Sequence, residues 1–236
     1  MEIINYVSSS NVTVKFENGF TYTTTYRAFK DNDIKTPYCK SVHNVGYLGV
    51  GDCHQYTNGI LALQCALWEN ILLRCYDQKT QLKHPTYIGC TVCEEWHNYQ
   101  NFAKWYDQNY YEIEGQAMHI DKDILIKGNK VYSPETCVFV PQNINALFTK
   151  SNAQRGDCPI GVTYRKTYKH KKYLARCNNG KKETYNLGLF NTPEEAFNAY
   201  KIFKEKVIKQ IAEQYKNKIP NKLYEAMCKY EVEITD

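Results

Sequence analysis

Two hydrophobic spacings alternate along this chain, and they predict a mixture of short strands and helices. Within residues 11–50, "NVTVKF" alternates apolar and polar positions, and "FTYTTTY" is rich in β-branched and aromatic residues. A period of two is typical of strands, and the intervening "ENG" favours a turn. Residues 1–52 are therefore predicted to form a small β-rich unit. It ends in the glycine-rich run "NVGYLGVGD", a tight backbone passage without the spacing of a phosphate loop.

Two segments in the middle of the chain have helical spacing. Residues 57–76 and 93–109 each place apolar side chains three or four positions apart, as the buried face of a helix requires. The first stripe contains Ile60, Leu63, Leu67, Trp68, Ile71 and Cys75, and the second contains Trp96, Tyr99, Phe102, Trp105 and Tyr106. Both stripes are expected to form core rather than ligand sites.

In the C-terminal third, a strand-like spacing of apolar residues is followed by a helical one. The segments "GVTYRKTY", "KKYLARCN" and "ETYNLGLF" are separated by turn-forming residues and predict a three-stranded antiparallel meander. The next segment starts with Thr192, Pro193 and two glutamates, which is a common helix start. Its expected inner face consists of Ala196, Phe197, Tyr200, Phe203 and Val207.

Charge is unevenly distributed, although the net charge of +5 is modest. Residues 155–218 contain 15 Lys and Arg against 6 Asp and Glu, a balance of +9, so the remainder carries −4. A basic segment of this kind favours a polyanionic partner over a merely solvated surface, because its charges fall on predicted strands.

Composition restricts the expected compartment and the chemistry of the cysteines. No apolar run approaches the length of a membrane span, and the N-terminus lacks the pattern of a secretory signal. A cytoplasmic protein without a membrane partner is expected, with its ten cysteines as reduced thiols. The chain contains one CxxC motif, formed by Cys90 and Cys93, with His97 and Cys137 as further candidate zinc ligands. Because there is no second CxxC, we expect small buried thiols here rather than a structural zinc site.

The stretch "MHIDKDILIKGNKVYSPETC", residues 118–137, brings together side chains suited to metal-dependent hydrolysis. Asp121 and Asp123 are hard ligands, and a strand would place His119 on the same face as Asp121. With Mg²⁺ or Mn²⁺ held there, His119 would activate water for attack on a phosphodiester. Two amides of the following segment are candidates for the remaining ligands: Asn143 and Asn145.

Basic and aromatic residues of the predicted meander are candidates for contacts with DNA. Alternate residues of a strand point to one face, and arginines on a twisted sheet can enter the major groove while lysines contact phosphates. The candidates are Arg165, Tyr173, Arg176 and Lys182, with Tyr164, Lys166 and Lys171 nearby. Double-stranded DNA is therefore the predicted partner.

Residues 160–210 contain an opening "GV" followed by an arginine, "AR" in the middle segment, and then "LGLFNTPEEAFNAY". This combination resembles the Apetala-type (ethylene-response-factor) DNA-binding domain. The resemblance implies a sheet that reads the major groove, a helix behind it, and Arg165 and Arg176 as the leading contact residues. The tryptophan that the family carries before the middle strand's alanine is absent, and Tyr173 stands near that place, which leaves the sequence preference open.

Residues 68–148 contain "WENILLRCY", "VCEEW", "IDKD", "SPETCVF" and "NIN" in this order. The combination resembles the HNH homing endonucleases of phages that carry Apetala-type domains. The resemblance implies a ββα nuclease unit. In active members an Asp-His pair at the end of the first strand supplies a metal ligand and a general base, and an Asn or His on the helix supplies another ligand.

Two alignments of the catalytic pair are open. If Asp121 takes the place of the aspartate, Lys122 occupies the histidine position, where an ammonium is a poor base and repels a cation. If "HID" is aligned instead, His119 restores the base, but Met118 takes the ligand position. The candidate catalytic residues are therefore His119 and Lys122.

The pattern and the resemblances together predict an α+β protein in four segments. These are a small β-rich N-terminal unit (1–52), an HNH-like ββα unit with preceding helices (53–150), a three-stranded antiparallel sheet packed on one helix (151–218) and a tail (219–236). The predicted activity is nicking or hydrolysis of DNA in the cytoplasm, of the host if phage-encoded. The alternative is a catalytically inactive regulator or inhibitor that binds DNA or a host protein, for instance a defence complex.

Overall fold

The computed structural model describes residues 1–149, 157–179 and 183–236. The described residues form an α+β fold, as predicted. The chain divides into two compact units, Met1–Ile88 with Val92–Lys104, and Gly89–Thr91 with Trp105–Asp236. The segment 53–150 is thus shared between the two units, and residues 219–236 belong to the second.

The first unit begins with an antiparallel sheet in the order β1–β2–β3. The bounds are Glu2–Ser8 for β1, Asn11–Lys15 for β2 and Thr21–Thr24 for β3, and the helix α1 (Tyr26–Lys30) follows. Alternate positions of the central strand form a small core, in which Val12 and Val14 are fully buried and Phe29 of α1 packs against them. This arrangement agrees with the β-rich unit expected from the alternating pattern.

The first predicted helix begins later than its apolar stripe suggested. Strands β4 (Tyr56–Thr57) and β5 (Ile60–Leu61) form a hairpin, and α2 (Leu63–Tyr76) starts after it. Asn58 and Gly59 have φ angles of 53° and 77°, which is the backbone of a two-residue hairpin turn and not of a helix. Ile60 and Leu63 are consequently exposed, whereas Trp68, Ile71 and Cys75 are buried as expected.

The second predicted helix is interrupted, but its apolar stripe is confirmed. After α3 (Gln78–Lys83) and a 3₁₀ turn at Pro85–Tyr87, a second 3₁₀ turn covers Glu94–His97. The helix α4 then runs from Tyr99 to Asn109. Every predicted member of the stripe is buried, namely Trp96, Tyr99, Phe102, Trp105 and Tyr106.

The glycine-rich run before α2 is a tightly packed loop. The Nε2 of Gln100 donates to the carbonyls of Leu48 (3.2 Å) and Cys53 (2.9 Å), and its Oε1 accepts from the amide of Cys53 (3.0 Å). A Cβ at Gly49 would overlap the side chain of Asn98, and one at Gly51 would overlap Gln100. These glycines therefore allow the close backbone approach that the sequence suggested.

The second unit contains a β-hairpin-and-helix segment. Strand β7 (Met118–Asp121) pairs antiparallel with β9 (Val138–Pro141), which leads into α5 (Gln142–Phe148). The short strands β6 (Thr91–Val92) and β8 (Val131–Tyr132) meet where the amide of Thr91 donates to the carbonyl of Lys130 at 2.9 Å. The apolar strand β9 therefore passes directly into the short helix α5 after Pro141.

The remainder of the second unit is a meander packed on a long helix. Strands β10 (Val162–Tyr164), β11 (Tyr173–Asn178) and β12 (Thr184–Phe190) form one antiparallel sheet. They are followed by α6 (Pro193–Tyr215) and α7 (Asn221–Lys229). The first half of α6 covers the sheet with Ala196, Phe197 and Tyr200, and its second half joins α5, α7 and β9 in another core. No helix of the described residues is both long and apolar enough to cross a membrane.

Candidate DNA-binding face and carboxylate site

A β-bulge shapes the outer face of the C-terminal sheet, the face turned away from α6. Pairing sets Leu174 opposite Leu189 and Arg176 opposite Asn186, so β12 has two residues between these pairs where β11 has one. A regular strand would turn residues three positions apart to opposite faces. The extra residue places Asn186 and Leu189 on the same outer face.

Two arginines line a cleft on this outer face. The cleft has a volume of about 510 Å³ and is bounded by Arg165, Tyr168, Leu174, Arg176, Asn186, Gly188 and Leu189. The Nε of Arg165 is buried and has no hydrogen-bond partner among the described residues. Neither arginine forms an ion pair within that part of the chain. Guanidinium donors that face a cleft in this way suit a ligand rich in acceptors, such as phosphates or base edges.

The structure brings Arg165 and Arg176 together but separates Tyr173 from them. Tyr173 packs on the α6 side of the sheet, so its predicted place on the arginine face is wrong. The reason is that Tyr173 and Arg176 lie three positions apart on one strand, where alternation puts them on opposite faces. Tyr164 pairs with Tyr173 and lies on the same side, with ring centroids 5.3 Å apart.

The predicted lysines lie at the margin of the sheet. Lys166 and Lys171 are exposed in the connection between β10 and β11, and Lys182 lies outside the described residues. Mobile ammonium groups beside the cleft are suited to contacts with phosphates rather than with bases.

Sequence reasoning missed several residues of the cleft. Leu174 was predictable, because it lies two positions before Arg176 on the same strand and therefore shares its face. Asn186 and Leu189 owe their positions to the bulge, which hydrophobic alternation does not reveal. The only local mark of the bulge is Gly188, whose φ of 128° lies in the region that favours glycine.

His119 and Asp121 lie on one face of β7, as the strand period predicted. Both pair with buried residues of β9 that belong to the core under α5 and α6. His119 is exposed, whereas Asp121 is partly buried. The Oδ1 of Asp121 accepts the backbone N–H groups of Asp123 (2.9 Å) and Ile124 (2.7 Å), so Asp121 also closes the turn that follows the strand.

Asp121 and Asp123 form a pair of interacting carboxyl groups. Burial and, second, the charge of Asp123 raise the pKa of Asp121 to about 6, although its two backbone hydrogen bonds act in the opposite direction. A carboxylate that is both desolvated and next to a like charge gains strongly from a nearby cation. The pair is therefore the strongest candidate for a divalent ion in this turn.

The contacts of Lys122 do not favour the predicted catalytic role. Its side chain is buried, and Nζ lies 3.5 Å from the Oδ2 of Asp123 and 5.8 Å from the ring centre of Tyr132. An ammonium held by a carboxylate and an aromatic face is poorly placed to accept a proton from water. Of the two candidate bases, His119 is the one that shares the face of Asp121.

The predicted amide ligands are not brought to Asp121. Asp121 pairs with Val138 at one end of the β7–β9 pair, whereas β9 ends three residues further along at Pro141, just before α5, a separation of about 10 Å at the usual rise of a strand. The backbone N–H of Asn143 donates there to the Oε1 of Gln116 at 3.3 Å. Asn145 lies two positions after Asn143 in α5, and its side chain is partly buried. The ligand prediction for Asn143 is therefore not supported by the topology, and no contact joins Asn145 to the turn in the described residues.

The donors at the turn fit an open site for Mg²⁺ or Mn²⁺. No group of three or more His, Cys, Asp or Glu side chains in the described ranges is arranged for a metal ion. Mg²⁺, however, is commonly bound by one or two carboxylates, with water and substrate phosphates as the other ligands. Asp121 and Asp123 would hold such an ion, with water or phosphate oxygens as its other ligands.

Half of the cysteines are packed in the interior as small apolar side chains. All ten carry reduced thiols, and five of them are buried: Cys65, Cys75, Cys90, Cys137 and Cys177. Burial raises the pKa of the Cys65 thiol to about 11. A thiol that stays protonated at neutral pH is a poor nucleophile, which agrees with packing as its role.

Comparison of the chain with protein-family models, with curated proteins and with solved structures found no match.

Proposed function

We propose that this protein binds double-stranded DNA through the outer face of the β10–β12 sheet and cleaves or nicks it with a divalent cation at the Asp121 turn. The observation that carries the proposal is the cleft in which Arg165 and Arg176 face outward together. The buried Nε of Arg165 has no partner there among the described residues, so a ligand that accepts hydrogen bonds would satisfy it.

Duplex DNA fits this face better than a small anion does. The major groove is about 12 Å wide and admits two strands of a sheet, and its guanine edges accept two hydrogen bonds from one arginine. The excess positive charge of residues 155–218 supports contacts with phosphates on either side. Lys166 and Lys171, both exposed beside the cleft, are the candidates for those contacts.

The proposed hydrolytic site rests on the face shared by His119 and Asp121. A divalent cation, when bound, would stabilise negative charge on the phosphate. Asp121 and Asp123 would hold the cation, and the exposed imidazole of His119 would take the proton of the attacking water. The resemblance to HNH endonucleases implies the same two roles, an aspartate that binds the metal and a histidine that acts as base, although neither alignment assigns them to Asp121 and His119 together.

A second candidate function is a DNA- or protein-binding regulator without catalysis. It is favoured by the ion pair of Lys122 with Asp123, which uses one carboxylate of the proposed metal site. It is also favoured by the location of Asn143 at the opposite end of the strand pair. Such a protein would bind DNA through the same arginines or a host protein through another surface.

DNA binding is tested by fluorescence anisotropy with a labelled duplex over a range of salt concentrations. The double variant Arg165→Gln/Arg176→Gln is expected to bind at least about tenfold more weakly, because each arginine contact contributes about 1–3 kcal/mol. Lys209→Gln removes an exposed charge from α6 and serves as the control. Equal binding by wild type and the double variant would contradict the proposed face.

Hydrolysis is tested by nicking of supercoiled plasmid in Mg²⁺ or Mn²⁺. Asp121→Ala is expected to abolish nicking, whereas Asp107→Ala, which removes an exposed carboxylate of α4, should not. Nicking that survives Asp121→Ala would refute the site assignment. Duplex binding without nicking in either metal would establish the regulator instead.

A further inference from the structure

The bulge in β12 determines what the outer face presents beside the arginines. Counting back from the Leu174–Leu189 pair, a regular strand would place Leu187 opposite Arg176 and turn Asn186 toward the core. In the structure Leu187 packs on the α6 side and Asn186 takes the place opposite Arg176. A polar amide therefore replaces an apolar side chain at the centre of the cleft.

Arg176 and Asn186 are cross-strand neighbours with complementary recognition chemistry. Both side chains are exposed, and neither forms a side-chain hydrogen bond to another described residue. An arginine forks to the O6 and N7 of guanine, and an asparagine bonds in the same bidentate way to the N6 and N7 of adenine. Because side chains of directly paired residues lie about 5 Å apart, they can reach adjacent or nearby base pairs.

The second pair on this face is apolar. Leu174 and Leu189 face each other across the strands and line the same cleft, and Leu189 is 37% exposed. In the major groove the only apolar group on a base edge is the methyl group of thymine. A leucine pair beside the Arg176–Asn186 pair would therefore favour A·T base pairs next to the guanine.

We infer that the outer face of β11 and β12 selects duplex sites that combine a guanine with neighbouring A·T pairs. Asn186 would select the adenine, and Leu174 with Leu189 would contact a thymine methyl. The inference rests on the proposed DNA binding and adds the base composition of the target. Duplex RNA does not fit, because its major groove is too narrow to admit the sheet.

The first test is selection from a randomised DNA duplex library with the full-length protein. Wild type is expected to enrich sites with guanine beside A·T pairs. For the enriched site, Asn186→Ala should lose about tenfold in affinity and its preference for adenine at one position, while its affinity for random duplex stays unchanged. Asn198→Ala on the exposed side of α6 is the matched control.

The second test isolates the thymine methyl group. Replacing thymine by deoxyuridine in the enriched site removes only this methyl group, and should weaken wild-type binding about fourfold at each contacted position. The Leu189→Ala variant should not distinguish the two duplexes. Urea unfolding of each variant, with a midpoint close to that of wild type, confirms that the fold is retained.

The outcomes separate the inference from the proposed function. Enrichment of sites built from G·C pairs alone, or an unchanged adenine preference in Asn186→Ala, overturns the inference and leaves DNA binding standing. Tighter binding to duplex RNA than to the enriched DNA also overturns it. No binding of wild type to any duplex overturns the proposed function itself.

Discussion

The carboxyl group of Asp121 closes a turn, but its surroundings disfavour its negative charge. Its Oδ1 accepts two backbone N–H groups and so closes the turn after β7, which the uncharged acid would also do. Its charge, in contrast, is disfavoured by burial and by Asp123. A carboxyl group kept in such surroundings is typical of a site that binds a cation or a proton, because stability alone would favour an amide.

The free energy of unfolding should therefore depend on pH through Asp121. The pKa of its carboxyl is about 6 in the folded protein, above the ordinary 3.8, so the folded state keeps the proton to higher pH. Stability falls as pH rises from about 4 to about 6. Asp121→Asn keeps the acceptor oxygen and should be about 2 kcal/mol more stable at pH 8.

Urea unfolding of wild type and Asp121→Asn at pH 4.5 and pH 8 checks this prediction. The stabilisation by the asparagine should shrink toward zero at the lower pH. Asp107→Asn, on the exposed side of α4, should show no such change. A variant that is less stable than wild type at both pH values would contradict the raised pKa.

Single residues also show where sequence reasoning succeeds. The shared face of His119 and Asp121 follows from the strand period alone, and the structure has it. The same rule, applied strictly, would have excluded Tyr173 from the face of Arg176. Lys122 is buried against Tyr132, which lies ten positions later in the chain. No local sequence pattern predicts this contact.

The bounds of helices and strands are predicted best where capping or turn-forming residues mark their ends. The start of α6 was recognised from Thr192, Pro193 and the glutamates, and the structure has the full capping box there. The hydroxyl of Thr192 accepts from the amide of Glu195 at 3.2 Å, and the carboxylate of Glu195 accepts from the amide of Thr192 at 3.4 Å. The start of α2 was predicted too early, because the apolar spacing that begins at Ile60 was given more weight than the turn signal of Asn58 and Gly59.

Removing the cap of α6 should weaken the helix on which the β10–β12 sheet packs. Thr192→Ala deletes the hydroxyl and leaves the amide of Glu195 without its acceptor, which should lower the free energy of unfolding by about 1 kcal/mol. Thr192→Ser keeps the acceptor and should stay within about 0.5 kcal/mol of wild type. Chemical denaturation of the three proteins makes the comparison, and equal losses for alanine and serine would show that the methyl group matters instead.

At the scale of the whole molecule, the last residues of the chain are part of the second unit. Val232 is buried in the core behind the sheet, and Leu223 and Met227 of α7 are fully buried in the core under α5. Asp236, only 4% exposed in its side chain, forms an ion pair with Lys127 at 2.9 Å. Hydropathy could not assign these segments to their cores, because their partners lie up to about a hundred positions earlier.

Breaking this long-range ion pair should destabilise the second unit. Lys127→Met removes the ammonium that also contacts Glu233 at 3.2 Å and leaves the buried carboxylate of Asp236 without this cation. The expected loss is about 2 kcal/mol at pH 7, since uncompensated burial of a charge is costly. Lys229→Met breaks an exposed pair with Glu225 and should cost at most about 0.5 kcal/mol. Thermal unfolding of both variants measures the difference, and similar losses would show that the pair with Asp236 is weak.

The extra residue of β12 also bears on how chain length can vary here during evolution. Loss of one residue at position 187 or 188 would return the strand to regular pairing and still leave Asn186 opposite Arg176. Gain of one more residue would instead turn the asparagine inward. A homologue shorter by one residue at this place would therefore keep Asn186 beside Arg176 on the outer face, whereas a longer one would present a different face without any substitution.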